Sequence, residues 1–344
     1  MRWTVVVPGA LLPPPIAADV LAGANAPWLL QALSRASVGE AATFESCAPH
    51  LSWLWQQFGG GGDPVTAPYA LRVLDSQADP GAQCWHVDPV HFAFARDHLL
   101  VAPLDDAPGA EEAESLARHL RAALDELFPE AGARLRVFGE HWLLTVRRPW
   151  SLRATLLDGA FGQSAHEHWP AGSDAAAWRR LLTEVQMRWH QETSNERREA
   201  LGRRSVNALW LHGGGVWSTL PSRPFSVVIS NDAVLRGWVE ASGLPRTAWI
   251  DEGAVATVPG DAVSIRRDLL VAAQFEAWGQ WLERLAELDT ALQSLHETSR
   301  AAGHDEMALV LCGRRQVRVA RVRRGDSWRR WRRTPPAALL AETE

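Results

Sequence analysis

Ser205-Val-Asn-Ala-Leu-Trp-Leu-His-Gly-Gly-Gly215 joins an apolar run to three consecutive glycines. Residues 206–211 show little alternation of polar and apolar side chains, which is typical of a strand covered on both faces. The glycines follow where such a strand would end, and ligands of open parallel sheets bind at the carboxyl ends of strands. Taken alone, the motif favours a purely structural turn, because it matches neither G-x-G-x-x-G nor a P-loop. As a ligand cleft it would comprise Asn207, His212, Gly213, Gly214 and Gly215.

Helical and strand patterns alternate on both sides of this stretch. Residues 173–190 place large apolar side chains at helical spacing, and a shorter helical piece follows before Gly202. Beyond the glycines, residues 225–230 and 307–312 read as further buried strands. The predicted fold class is therefore α/β, a sheet flanked by helices.

An inserted lobe interrupts this α/β pattern. Residues 89–95 and 98–102 predict a hairpin, residues 110–128 a helix, and residues 134–138 and 142–146 two more strands. This ββαββ block differs in character from the helices and strands on either side. The predicted organisation is a first part of the core at 1–82, the inserted lobe at 83–170, a second part of the core at 171–320, and an Arg/Trp-rich end at 321–344.

Composition excludes several function classes. A net charge of −5 over 344 residues predicts no overall affinity for nucleic acid. All 35 basic residues are arginine, so lysine-based Schiff-base and P-loop chemistry is absent. The first residues do not match a signal peptide, and no apolar run is long enough to cross a bilayer. We therefore expect a cytoplasmic protein that has no membrane partner.

Histidines near one predicted strand raise the question of a metal site. His86, Asp88, His91 and His98 lie close together in the sequence. Side chains alternate along a strand, so Asp88 and His91 point to opposite faces. His86 and Asp88 can share a face, but two ligands do not close a site. The sequence thus predicts no metal ion here and favours polar residues at the start of a strand. Because it contains no G-x-S-x-G, H-E-x-x-H or C-x-x-C motif, it also predicts no catalytic residue and no cofactor.

The C-terminal end carries the strongest charge signal. Between Arg314 and Arg333 there are ten arginines and one acid, Asp326. Such a segment can protect an edge strand by charge, which is the favoured interpretation, or it can bind phosphates and stack on unpaired bases. The candidate anion- or partner-binding residues are Arg314, Arg315, Arg318, Arg321, Arg329, Arg330, Arg332, Arg333, Trp328 and Trp331.

Several segments together carry a resemblance to a known family. They are Asp88-Pro-Val-His-Phe92 with Leu99-Leu100, Trp169-Pro-Ala-Gly-Ser-Asp174 with Trp178, Thr183-Glu-Val-Gln-Met187, Asn195-Glu-Arg-Arg198 and Val206 to Gly215. In order and spacing they cover about residues 1–333, and the 183–215 block is the specific part. The sequence resembles the bacterial RpfE-type regulatory proteins, which are similar to cofactor-independent phosphoglycerate mutases and, more distantly, to the alkaline phosphatase superfamily.

This resemblance implies an alkaline-phosphatase-like sheet with an inserted lobe. Enzymes of the superfamily hold two divalent metals through an Asp after the first strand, a Ser or Thr nucleophile, and late Asp and His ligands. Here the first strand runs into Pro8-Gly9-Ala10 and the last core strand into Cys312-Gly313-Arg314, without those ligands. Two-metal phosphoryl transfer needs cations to neutralise the phosphate oxygens and activate the nucleophile.

We therefore expect a non-catalytic, metal-free relative of phosphoglycerate mutases that acts as a regulatory or partner-binding protein. Its expected partner is an unidentified protein. Two alternatives remain: an active phosphoglycerate mutase or phosphatase with relocated metal ligands, and an accessory factor that binds single-stranded nucleic acid through the Arg-rich end. Metal analysis of the purified protein distinguishes the expected metal-free relative from an active mutase or phosphatase. A salt-dependent binding assay with single-stranded nucleic acid tests the second alternative.

Overall fold

The computed structural model describes residues 1–95, 98–251, 260–323 and 335–343. The strands are β1 (Arg2–Pro8), β2 (Ser37–Val38), β3 (Ala42–Thr43), β4 (Gln83–Ala95), β5 (His98–Ala102), β6 (Arg134–Phe138), β7 (His141–Val146), β8 (Ala208–Gly215), β9 (Val227–Ile229), β10 (Trp249–Ile250), β11 (Ala262–Ile265), β12 (Glu306–Cys312) and β13 (Gln316–Arg323). The α-helices are α1 (Pro14–Ala22), α2 (Pro27–Arg35), α3 (Pro49–Gln57), α4 (Ala67–Leu74), α5 (Ala110–Leu127), α6 (Leu157–Ala160), α7 (Ala175–His190), α8 (Thr193–Ala200), α9 (Ala233–Ala241), α10 (Leu270–Gln274), α11 (Trp278–Ala301) and α12 (Pro336–Leu339).

The chain divides into two compact units. The first unit consists of Met1–Asp63 and Thr219–Glu344, and the second of Pro64–Ser218. The sheet of the first unit has the strand order β10-β9-β11-β1-β12-β13-β2, with β3 also paired to β13. Strands β10, β9, β11, β1 and β12 run parallel, whereas β13 is antiparallel to β12. The carboxyl ends of the parallel strands therefore meet at one edge of this sheet.

Alternation along β1 explains how the first sheet is covered. Trp3, Val5 and Val7 lie in one apolar core with residues of α2 and α11, and this core includes the fully buried Trp281. The intervening β1 residues, such as Thr4 and Val6, are also buried. Both faces are thus covered by protein, as is usual for parallel sheets.

The second unit is built on an antiparallel sheet. Its order is β5-β4-β7-β6, and β8 pairs with β4. The long strand β4 is central because β7, β5 and β8 all pair with it. Helix α7 presents Trp178, Leu181, Val185 and Trp189 to a core shared with α5 and the sheet. The predicted hairpin, the helix and the two following strands of the lobe are present.

The predicted α/β class, with a sheet flanked by helices, is confirmed. The lobe boundaries differ from the predicted 83–170, because the second unit also contains α4, α7, α8 and β8. The physical reason is the pairing of β8 with β4, which ties the glycine stretch and the helices before it to the antiparallel sheet. None of the helices in the described ranges combines the length and the apolar composition of a membrane span.

Candidate functional site

The three glycines lie inside β8 and not after a parallel strand, which corrects the sequence-based placement. Gly213 has a φ of 61°, and a Cβ there would overlap the Thr66 hydroxyl. A Cβ on Gly214 would overlap the Trp85 ring, and one on Gly215 would crowd Val65. The glycines therefore allow other parts of the second unit to pack closely against β8, which explains why no side chain is present.

Asn207, another residue of the predicted cleft, is engaged by the backbone of β4. Its Oδ1 accepts a hydrogen bond from the Phe92 N–H at 2.6 Å, and its Nδ2 donates to the Phe92 carbonyl at 3.1 Å. The amide thus continues the pairing of β4 with β8 beyond the end of the strand. This position gives Asn207 a structural role.

His212 takes part in a cluster that the sequence did not reveal. The register of β4 and β8 places His212 opposite His86, two residues before Asp88 on the same face of β4. His212 Nε2 lies 2.8 Å from Asp88 Oδ2, and the rings of His86 and His212 stack with centroids 4.7 Å apart and an interplanar angle of 11°. Ligand atoms of these three residues all lie within 4.8 Å of one another.

A β-bulge shapes this part of the β4–β8 pair. The register shifts between Cys84, which faces Gly215, and His86, which faces His212, so β8 has one residue more than β4 over this interval. The left-handed φ of Gly213 lies within the bulge. Bulges re-aim side chains and occur often next to functional sites. Here the bulge lies directly beside His86 and His212, the two residues whose imidazole rings stack.

Asp88 is ionised in this setting. Burial would raise the pKa of Asp88, but the hydrogen bond from His212 and the charges of His212, His86 and His141 outweigh it, so the pKa lies below the ordinary value. An ionised carboxylate only accepts hydrogen bonds, so His212 Nε2 carries the donated proton.

Some buried polar atoms near the cluster have no hydrogen-bond partner within the part of the chain that the structure describes. They include Nδ1 of His212 and Oγ1 of Thr66. The Thr66 hydroxyl and the His86 ring both lie next to the position that a Cβ on Gly213 would take. Buried polar groups are nearly always satisfied, so atoms of this kind call for a partner such as a water molecule or an ion.

His91 and His98, the other histidines considered from the sequence, lie outside the cluster. His91 Nδ1 is 2.8 Å from the carbonyl of Ser205, and His98 is exposed at the start of β5. The predicted opposite orientation of Asp88 and His91 agrees with these contacts. The third member of the cluster, His212, comes from a strand 124 residues away along the chain.

The carboxyl edge of the parallel sheet in the first unit contains several carboxylates. Each of the following is bound to an arginine. Asp232, after β9, caps α9 and accepts from Arg267 at 2.9 Å. Asp251, after β10, accepts from Arg236 at 2.6 Å.

Asp268, after β11, accepts two hydrogen bonds from Arg266, at 3.0 and 2.9 Å. Burial would raise the pKa of Asp268, but the hydrogen bonds and charge of Arg266 outweigh it, and the pKa lies below the ordinary value. These carboxylates are therefore neutralised by the protein itself.

The chain's own C-terminal segment closes the same edge at β1 and β12. Leu340 and Glu342 exchange backbone hydrogen bonds with Leu12, at 2.7 and 2.9 Å. The carboxylate of Glu342 accepts the N–H groups of Arg314 and Arg315, directly after β12, at 2.6 and 3.2 Å. An internal carboxylate thus occupies the backbone donors that follow the last parallel strand.

The described arginines of the C-terminal candidate surface do not form one exposed face. Arg318 is buried on the side of β13 that carries Ala320 and Val322, and its Nη1 donates to the carbonyls of Ala338 and Leu339 at 2.6 and 2.9 Å. Burial lowers the pKa of Arg318. The predicted protection of an edge strand by charge does not apply to this residue, because strand alternation turns it inward.

The other arginines of this surface differ in their surroundings. Arg321 lies 3.7 Å from Glu306, Arg314 pairs with Glu276 at 3.0 Å, and Arg315 is exposed. Six candidates lie outside the described residues: Trp328, Arg329, Arg330, Trp331, Arg332 and Arg333. Their predicted role in binding stays a prediction.

No protein-family model matches the chain, and no curated protein matches it. Among the solved structures that resemble it, two do so over nearly their full lengths. The cofactor-independent phosphoglycerate mutase from Thermoplasma acidophilum DSM 1728 is 14% identical, with 100% of this chain and 95% of that chain covered and a TM-score of 0.45. The PH0037 protein from Pyrococcus horikoshii is 12% identical, with 98% and 92% covered and a TM-score of 0.51.

At 12% identity, the likeness to the PH0037 protein concerns the fold alone, and the lower TM-score of the mutase adds nothing to it. The α/β fold is therefore shared with a solved protein. The RpfE-type family indicated by the sequence stays a prediction.

Proposed function

We propose that the chain is a non-catalytic relative of phosphoglycerate mutases that acts as a regulatory or partner-binding protein. The observation that carries this proposal is the state of the carboxyl edge of the parallel sheet. There, Glu342 fills the backbone donors after β12, and Asp232, Asp251 and Asp268 are each bound to an arginine. Catalysis by two metal ions needs carboxylates that converge on cations.

The end of β1 supports the same proposal. The residues after this strand, Ala10, Leu11 and Leu12, are buried and apolar. The resemblance implies a metal-binding aspartate at this position, and none of these side chains can bind a cation or activate a nucleophile.

One exposed aromatic side chain supports the partner-binding half of the proposal. Phe94 lies near the end of the β4–β5 hairpin, opposite Leu99, and is 93% exposed. Aromatic residues are enriched where protein surfaces bind one another, because they bury a large apolar area on association. A Phe94→Ser variant should keep the melting temperature of the parent, since the side chain buries little in the folded chain.

An activity assay tests the proposal that the protein is non-catalytic. Purified protein is assayed for phosphoglycerate mutase and phosphatase activity with added Mn²⁺, beside an Asp268→Asn variant. We expect both proteins to stay at the background without protein. Turnover well above that background in the parent, lost in the variant, would show that the edge of the sheet is catalytic.

A comparison of the proteins retained by wild type and by a Phe94 variant tests the proposal that the protein binds a partner. Wild type and Phe94→Ser are immobilised and exposed to an extract of the native host. We expect a protein that the wild type retains and the variant loses. An identical set of retained proteins would remove Phe94 from the interface.

A further inference from the structure

We propose that His86, Asp88 and His212 form a binding site for one divalent transition-metal ion of the Zn²⁺ type. Two imidazoles and one carboxylate are ligands that suit such ions. Strand alternation puts His86 and Asp88 on one face of β4, and the β4–β8 register adds His212. His212 is therefore the third ligand, which is missing when only His86 and Asp88 are considered.

One pair of ligand atoms in the cluster requires only a small adjustment. His212 Nε2 and Asp88 Oδ2 are 2.8 Å apart, bridged by a proton. Two ligand atoms in a tetrahedral zinc site lie about 3.3 Å apart, given metal–ligand distances of about 2.0–2.1 Å. Replacing the proton by the ion therefore moves these two atoms apart by about 0.5 Å.

One imidazole must also turn when the ion binds. A metal ion lies close to the plane of each imidazole that binds it, along the nitrogen lone pair. The rings of His86 and His212 are nearly parallel, so their lone pairs do not converge while the rings are stacked. The torsion that turns a histidine ring has a broad energy profile, so one ring can rotate to direct its lone pair at the ion.

The surroundings favour a cation that keeps an open coordination position. Three protein ligands leave a fourth position of a tetrahedral site free for water or another oxygen. The Thr66 hydroxyl, buried and without a hydrogen-bond partner among the described residues, borders the same part of β8. Asp88 supplies the negative charge that offsets part of the charge of the ion.

This site differs from the two-metal centre of the resembling enzymes. It belongs to the antiparallel sheet of the second unit, and all three of its ligands come from β4 and β8. It holds one ion and leaves the proposal of a non-catalytic sheet edge unchanged. The two proposals fail separately, because one is tested by turnover and the other by metal binding.

Titration with Co²⁺ tests the site directly, because Co²⁺ occupies zinc sites and absorbs visible light strongly when it is four-coordinate. The proteins are wild type, His86→Ala, His212→Ala and Asp88→Asn, with His98→Ala as the matched control from the exposed start of β5. We expect one equivalent of Co²⁺ in wild type and in the control, displaced by one equivalent of Zn²⁺. Loss of one ligand should weaken binding by about 100-fold or more.

Folding of each variant is checked by circular dichroism, and His212→Gln replaces any His212→Ala protein that is unfolded. Absence of Co²⁺ absorption in folded wild type would overturn the proposal. Binding that persists unchanged in the folded His86, Asp88 and His212 variants would overturn it as well, because the ion would then lie elsewhere.

Discussion

The polar groups at the carboxyl edge of the parallel sheet and those of the His86–Asp88–His212 cluster differ in how they find partners. At the edge, carboxylates such as Asp268 are neutralised by arginines, and Glu342 fills the donors after β12. In the cluster, a carboxylate and two imidazoles are held together, and Nδ1 of His212 has no partner within the described residues. A region whose polar groups satisfy one another is stable without a ligand, whereas two imidazoles and a carboxylate held together offer ligand atoms to a cation.

The largest effect is expected at the bulge beneath the cluster. Gly213→Ala should lower the free energy of unfolding by about 3 kcal/mol, because the Cβ meets the Thr66 hydroxyl and the φ of 61° is strained for a side chain. Gly139 has the same φ but nothing within 4 Å of a built Cβ, so Gly139→Ala should cost only about 1 kcal/mol. Urea unfolding measures both. Equal losses in the two variants would show that β8 is not tightly packed at Gly213.

An intermediate effect is expected at the segment that closes the sheet edge. Arg318→Ala removes two hydrogen bonds from a guanidinium to the carbonyls of Ala338 and Leu339 and should cost about 2 kcal/mol. Arg315→Ala, at an exposed position three residues away, should change stability by less than about 0.5 kcal/mol. Thermal unfolding and limited proteolysis of the C-terminal segment are the measurements. Unchanged proteolysis in Arg318→Ala would mean that this arginine does not hold the segment.

A smaller, pH-dependent effect is expected for Asp268. Because the folded pKa of Asp268 is depressed, its contribution to stability is present above the unfolded pKa of about 3.9 and is lost as pH falls through the folded value. Asp268→Asn should therefore cost about 1 kcal/mol at pH 7 and almost nothing in strong acid. Urea unfolding from pH 7 to pH 2 measures the difference. A loss that stays constant over this range would exclude the ion pair with Arg266 as its cause.

The sequence predicted individual elements better than their long-range pairing. The apolar runs, the hairpin and the helix at 110–128 were visible because burial and periodicity are local properties. The partnership of His212 with His86 depends on the β4–β8 register and its bulge, which no local pattern specifies. The buried position of Arg318 could have been predicted from the sequence, since strand alternation places it on the same face as Ala320 and Val322, which belong to the core.

Metal stoichiometry tests the contrast between the two regions most directly. Wild type and His212→Ala are equilibrated with Zn²⁺ and with Mn²⁺, passed over a desalting column and measured by mass spectrometry for bound metal. We predict one equivalent of Zn²⁺ in the wild type, none in the variant, and no second equivalent of either ion. Two tightly bound equivalents that persist in His212→Ala would contradict the account, because they would place the metal ions outside the cluster.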